Sequence, residues 1–154
     1  MSGCFDIVAV SGDRIMQAFP VVQAAWPSVD LAVWKNFVRF FRAENTAGQS
    51  DVVALRNPAG YLCGVLAYRR DWDLQTGPIL IAQLFLAIDL LNSSRTIGAL
   101  IEAVEARAYQ LGCAAIQVRL CKEQVQLATC LNKLGLVCEA SIFSRNKPAP
   151  ISAN

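Results

Sequence analysis

Proton chemistry in this chain must fall to carboxylates, tyrosine, cysteine, lysine or water, because the sequence contains no histidine. That absence removes Ser-His-Asp and Cys-His catalysis. Three side chains are candidates. Asp89 lies near the end of the apolar run Ile79–Leu91, where burial would raise its pKa and make it a base; facing water at a strand end it would do nothing. Glu123 follows a later apolar run and reads either as a base or as an acid in the first turn of a helix. Tyr68, inside a third run, faces either an acceptor or the core. The six cysteines, Cys4, Cys63, Cys113, Cys121, Cys130 and Cys138, form no C-x-x-C pair and lie mostly in apolar runs. They read as reduced thiols in a cytoplasmic protein, and no metal site is expected.

A second chemistry belongs to the stretch Asn92–Gly112, NSSRTIGALIEAVEARAYQLG, around which the chain is organised. Ile97, Leu100, Ile101, Val104, Ala108 and Leu111 recur at helical spacing, and Gly112 ends the helix. The run Ile79–Leu91 before it and Cys113–Leu120 after it read as strands. Strand, helix and strand make a βαβ unit with parallel neighbours. The turn Asn92–Gly98 then sets free backbone N–H groups at a helix N-terminus, beside the end of a strand, which is where phosphates bind.

Other elements must hold that unit in place. Phe5–Val10 reads as a first strand, and Arg14–Trp26 as a helix interrupted by Pro20. Ser28 is the expected N-cap of a second helix with the stripe Leu31, Trp34, Phe37, Val38 and Phe41. Glu44–Ser50 is loop-like. Asp51–Arg56 and Tyr61–Arg70 flank Asn57-Pro58-Ala59-Gly60 as an antiparallel hairpin, and Asp71–Pro78 is a further turn region. Lys122–Leu134 reads as a helix closed by Gly135, Leu136–Ser144 as a last strand, and Asn146–Asn154 as a tail. A length of 154 residues suits one domain, 1–154, with its core at about 5–145. A mean hydropathy of +0.38 favours a partner that buries apolar surface. With a net charge of +2 and no basic run beyond Arg69–Arg70, nucleic acid is not expected as a partner. Ile79–Leu91 is too short for a membrane helix, and no basic-then-apolar leader points to secretion.

The order β, α, α, β-hairpin, β, α, β, α, β resembles the GNAT superfamily of acyl-CoA-dependent N-acetyltransferases. Gly64-Val65-Leu66-Ala67-Tyr68 is similar to that family's third strand. GALIEAVEARAYQLGC is similar to its central helix running into the fifth strand. QVQLATCLNKLGL, Gln124–Leu136, resembles its N-x-x-A-x-x-L-Y-x-K-L-G-F, with Gln124 at the Asn position. The resemblance implies an α/β (α+β) fold with a mixed central sheet and helices on both faces. It implies that the turn before the central helix binds the pyrophosphate of acetyl-CoA, and that the fourth strand pairs with the pantetheine arm where the fourth and fifth strands splay apart. The cofactor-binding residues it implies are Ile88, Leu90, Asn92, Ser93, Ser94, Arg95, Thr96, Ile97, Gly98 and Gln124.

The turn departs from the family's Gln/Arg-x-x-Gly-x-Gly/Ala signature. One register puts Arg95 at the lead and Gly98 at the first glycine; the other puts Asn92 at the lead, Arg95 at the first glycine and Ile97 last. Hydroxyls of Ser93, Ser94 and Thr96, or the Arg95 guanidinium, would then replace lost backbone contacts. The family's tyrosine acid is replaced by Leu131, and Cys130 beside it points about 100° away on a helix. The function expected is acetyl transfer from acetyl-CoA to an amine, with Asp89, Glu123 and Tyr68 as the catalytic candidates. The alternatives are a non-catalytic member of the fold serving as a CoA-binding or dimerisation module, and a plain α/β domain without CoA. A homodimer is expected, because a missing terminal strand leaves an apolar edge near Ile142 and Phe143.

Overall fold

The computed structural model describes residues 4–43, 48–88, 93–121, 123–139 and 143–145. The elements are β1 (Asp6–Ala9), α1 (Asp13–Ala25), α2 (Leu31–Ala43), β2 (Ser50–Arg56), β3 (Leu62–Asp73), β4 (Gly77–Ala87), α3 (Ser93–Gln110), β5 (Ala115–Val118) and α4 (Val125–Lys133). The strands form one sheet in the order β1-β2-β3-β4-β5. Neighbours are antiparallel as far as β4, and β4 and β5 are parallel through the α3 crossover.

Alternation along the strands divides the core in two. Val52, Ala54, Val65 and Ala67 face α1 and α2, which bury Val22, Trp34 and Val38 against them. Leu55, Leu66, Leu80 and Phe85 face α3, which contributes Ile97, Leu100, Ile101 and Val104, while α4 adds Leu127 and Leu131. The helical periodicity of α3 therefore has its cause in one continuous contact with the sheet. Gly64 permits that contact, since a Cβ there would lie 3.1 Å from both the Leu86 carbonyl oxygen and Leu100 Cδ1.

Several local features differ from the sequence reading. Helix α1 continues through Pro20; that residue is exposed, so water can solvate the carbonyl its ring leaves unbonded. Asp30, not Ser28, caps α2: its carboxylate accepts from the Val33 N–H at 2.8 Å. The turn region Asp71–Pro78 contracts to Leu74–Thr76, because Asp73 Oδ2 accepts from the N–H groups of Gln75 and Thr76 at 3.1 and 2.9 Å. β5 is shorter than Cys113–Leu120. Leu136–Glu139 and Phe143–Arg145 carry no strand, so the described part of the expected last strand, Leu136–Ser144, is irregular.

One irregularity positions everything that follows. The β3–β4 register runs Ala67↔Leu84 and then Tyr68↔Ala82, so Gln83 is an extra residue. It is a β-bulge, and it reverses the alternation of β4. Leu80 and Ala82 face α3; beyond the bulge Phe85 does so, while Leu84 and Leu86 turn to α1 and α2.

Candidate functional site

At the bulge β4 and β5 part. Parallel pairing runs from Ile79↔Ala115 to Ala82↔Val118 and ends where the Arg119 N–H donates to the Ala82 carbonyl at 3.0 Å. β4 continues from Gln83 to Ala87 without β5 beside it. Since the Ile88 N–H donates to the Cys63 carbonyl at 2.7 Å, strand alternation turns the backbone of Ala87 and Phe85 toward the side β5 has left. The start of α4 meets that side. Gln124 Nε2 donates to the Phe85 carbonyl at 3.1 Å, and Gln124 Oε1 accepts from the Cys121 N–H at 2.9 Å and the Cys121 thiol at 3.4 Å. Helix α3 begins at Ser93, shortly after β4 ends. The N–H groups of its first residues, Ser93, Ser94 and Arg95, have no acceptor within the helix. An open strand edge and a positively polarised helix start thus lie together: the first offers peptide-like pairing, the second anion binding.

The sequence candidates are distributed unevenly around this opening. Ser94 and Arg95 are exposed on the first turn of α3, and the Arg95 guanidinium lies 5.8 Å from the centre of the Phe5 ring. Thr96 is fully buried and Ile97 is a core residue, so neither offers its side chain to a surface anion. The expected turn Asn92–Gly98 is helix from Ser93 onward. Gly98 sits inside that helix with no atom within 4 Å of where a Cβ would stand. Gln124 lies in the opening itself. Ile88 does not face it, because its N–H is spent on β3. Counting alternate residues from Ala82 reaches Ile88, but the bulge at Gln83 shifts the outward set to Phe85 and Ala87. Asp89, Leu90 and Asn92 lie outside the described residues. Glu123 is exposed in the turn immediately before Gln124.

Tyr68 is not part of the opening. It shares the α3 face with Leu66 and packs under the far end of the helix, with the Arg107 guanidinium 5.7 Å from its ring centre. Burial pushes its phenol above the ordinary tyrosine value, partly offset by the Arg107 charge. The recess it lines, about 200 Å³ with Leu66, Ala103 and Arg107 among its walls, includes no residue of β5, α4 or the first turns of α3. A larger cleft of about 490 Å³, lined by Ser11, Gly12, Lys35, Arg39 and Arg42, lies at the other end of the sheet, where β1 ends. Of its cations, Arg42 stands in the last turn of α2, where it complements the helix dipole, and it pairs with Asp51 at 2.7 Å.

Leu131, at the position of the family's tyrosine acid, is buried in the α3–α4 core. Sequence reasoning missed the Phe85 carbonyl and Cys121 as parts of the site. The signal that points to the first is Gln83, a polar residue interrupting an apolar strand.

Solved structures share this architecture over nearly the whole chain. The aminoglycoside N-acetyltransferase AAC(6')-Iy in complex with CoA matches with a TM-score of 0.78 at 14% identity, covering 96% of this chain and 98% of that one. The chain has the GNAT fold. AAC(6')-Ih from Acinetobacter baumannii matches with a TM-score of 0.74 at 13% identity, over 96% of this chain and 100% of that one. Ribosomal-protein-alanine N-acetyltransferase from Brucella melitensis biovar Abortus 2308 gives 0.74 at 10% identity, over 94% and 100%. No protein-family model matches the sequence, and no curated protein matches it. In this GNAT-fold chain the β4 bulge, the parted strands and the start of α3 stand together. Among the described residues no helix is long and apolar enough to cross a membrane.

Proposed function

We propose that this protein is an acetyl-CoA-dependent N-acetyltransferase acting on an amine. The observation that carries the reading is the β4–β5 opening at the Gln83 bulge, flanked by the free N-terminus of α3, in a fold whose solved relatives include a CoA complex. In this reading the N–H groups of Ser93, Ser94 and Arg95 hold the pyrophosphate, with the Ser94 hydroxyl and the Arg95 side chain beside them. The backbone of Phe85 and Ala87 pairs with the amides of the pantetheine arm, in place of the expected Ile88. The neutral amine attacks the thioester carbonyl, a C–N bond forms, the C–S bond breaks, and the CoA thiolate leaves. Holding the two reactants together supplies much of the rate. The ammonium proton passes to Glu123 or Asp89 through water, and the thiolate takes a proton from water because Leu131 has none to give. Tyr68 serves packing only.

Calorimetric titration with acetyl-CoA tests the binding half, and release of free CoA thiol with a panel of amines tests transfer. Ser94→Asp sets a carboxylate against the pyrophosphate and should weaken acetyl-CoA binding about 10- to 100-fold, from a loss of roughly 1.5–3 kcal/mol of charge-assisted contact. Unchanged affinity in folded Ser94→Asp removes the α3 start as the pyrophosphate site. A second reading, a CoA-binding module without transfer, is favoured by the buried Leu131 and by Arg95 at the first glycine position of one register. Tight acetyl-CoA binding with no thiol release from any amine would select it.

A further inference from the structure

We propose that Gln124 is a displaceable latch: its side-chain amide bridges β4 and the end of β5, occupying the hydrogen-bonding position that the amide-bearing arm of CoA takes on binding. The proposal rests on the CoA reading above. In an unbroken parallel sheet the Phe85 carbonyl would be met by a peptide group of β5. Here one side chain supplies both halves of that missing group. Gln124 Nε2 gives its proton to the Phe85 carbonyl at 3.1 Å, while Oε1 receives the Cys121 N–H at 2.9 Å and the Cys121 thiol at 3.4 Å. A primary amide carries the same donor and acceptor as a peptide unit, so Gln124 acts as a one-residue substitute for a strand.

The side chain is committed to the opening and not to its own helix. Gln124 stands at the N-cap of α4, yet makes no capping hydrogen bond. Replacing it therefore leaves the start of α4 intact. An extended arm can add to the open edge of β4 only through the groups that edge presents, and the Phe85 carbonyl is one of them. Gln124 must swing away for the arm to lie there. Ligand binding then works against the latch, while the latch closes the free protein by tying α4 and the end of β5 to β4.

Calorimetry with CoA, and separately with its 3′-phosphorylated ADP half, which lacks the arm, tests this on the wild type, Gln124→Ala and Gln124→Met. Loss of one neutral hydrogen bond that competes with the ligand should tighten CoA binding roughly three- to tenfold in both variants. Affinity for the ADP half should not change, and the free variants should melt about 2–4 °C lower. In the wild type the side-chain amide resonances of Gln124 should move on adding CoA and stay in place with the ADP half. CoA affinity that falls or stays the same in the variants overturns the latch and leaves the CoA reading standing. CoA binding to the variants alone supports it, and CoA binding to none of the three proteins overturns both. Should Gln124→Ala fail to fold, Gln124→Met decides, because it keeps the length of the side chain and loses only the amide.

Discussion

Tyr68 shows how residue type and residue position diverge. A tyrosine within an apolar run suits an active site and a core equally, and only its place on β3, opposite Ala82 and under Arg107, decides for the core. Its consequence is for stability at high pH. Burial raises the folded pKa above the unfolded value of about 10. Between those two values the unfolded chain has released a proton that the folded chain retains, so stability is complete below about pH 10 and declines as pH rises further. Tyr68→Phe should flatten that alkaline decline in urea midpoints measured from pH 8 to 11, and leave any acetyl transfer at neutral pH within about twofold. A tenfold loss of transfer at neutral pH would return Tyr68 to the site. Gln124 is the opposite case: its position in the family's motif marked it from the sequence, whereas the Phe85 carbonyl it meets is a backbone atom that no residue type announces.

The helices and hairpins were legible where a local rule governs them. Asn57-Pro58-Ala59-Gly60 makes its turn, with the Asn57 side chain accepting from the Tyr61 N–H at 2.9 Å. Gly112, at φ 69°, ends α3, and the Cys113 N–H closes back on the Ala108 carbonyl at 2.9 Å. What depends on non-local pairing was not legible. One inserted residue, Gln83, reverses the facing of the rest of β4; its polarity is a local sign, but only the pairing with β3 makes it a bulge. The run Leu136–Ser144 reads as a strand, but a strand also needs a neighbour, and its described residues, 136–139 and 143–144, pair with none in the sheet. Gly64 belongs to this scale as well, since it brings α3 onto β3 at the level of Ala87, the last residue of β4. Gly64→Val would press on the Leu86 carbonyl and Leu100, costing about 1–3 kcal/mol, and thermal melting should fall by roughly 2–10 °C. An unchanged melting point would show that α3 has slack at its N-terminal half.

At the scale of the whole molecule, β1 and β5 are the outer strands of the described sheet. Val137 and Phe143, beyond β5, are 75% and 94% exposed. We propose a homodimer in which a second copy covers this side, a contact of the isologous kind. Sedimentation equilibrium at micromolar concentration should then give twice the 16.7 kDa of one chain. Phe143→Lys should return the protein to monomers. A wild type that sediments as a monomer refutes the dimer, and a Phe143→Lys variant that stays dimeric moves the contact elsewhere.

The shortness of β5 bears on how the molecule comes apart. It shares only the register Ile79↔Ala115 to Ala82↔Val118 with β4, whereas β3 and β4 are paired along nearly their full lengths. Partial unfolding therefore starts at β5, detaching it together with α4 while the antiparallel strands stay joined. Solvent deuterium should reach the amides of Gln117 and Arg119, which point to β4, through this limited opening, well before it reaches those of Val65 or Leu66, which wait for global unfolding. Occupation of the gap by any ligand would bring the two exchange rates closer together, making the most weakly paired margin of the sheet the part that binding strengthens most.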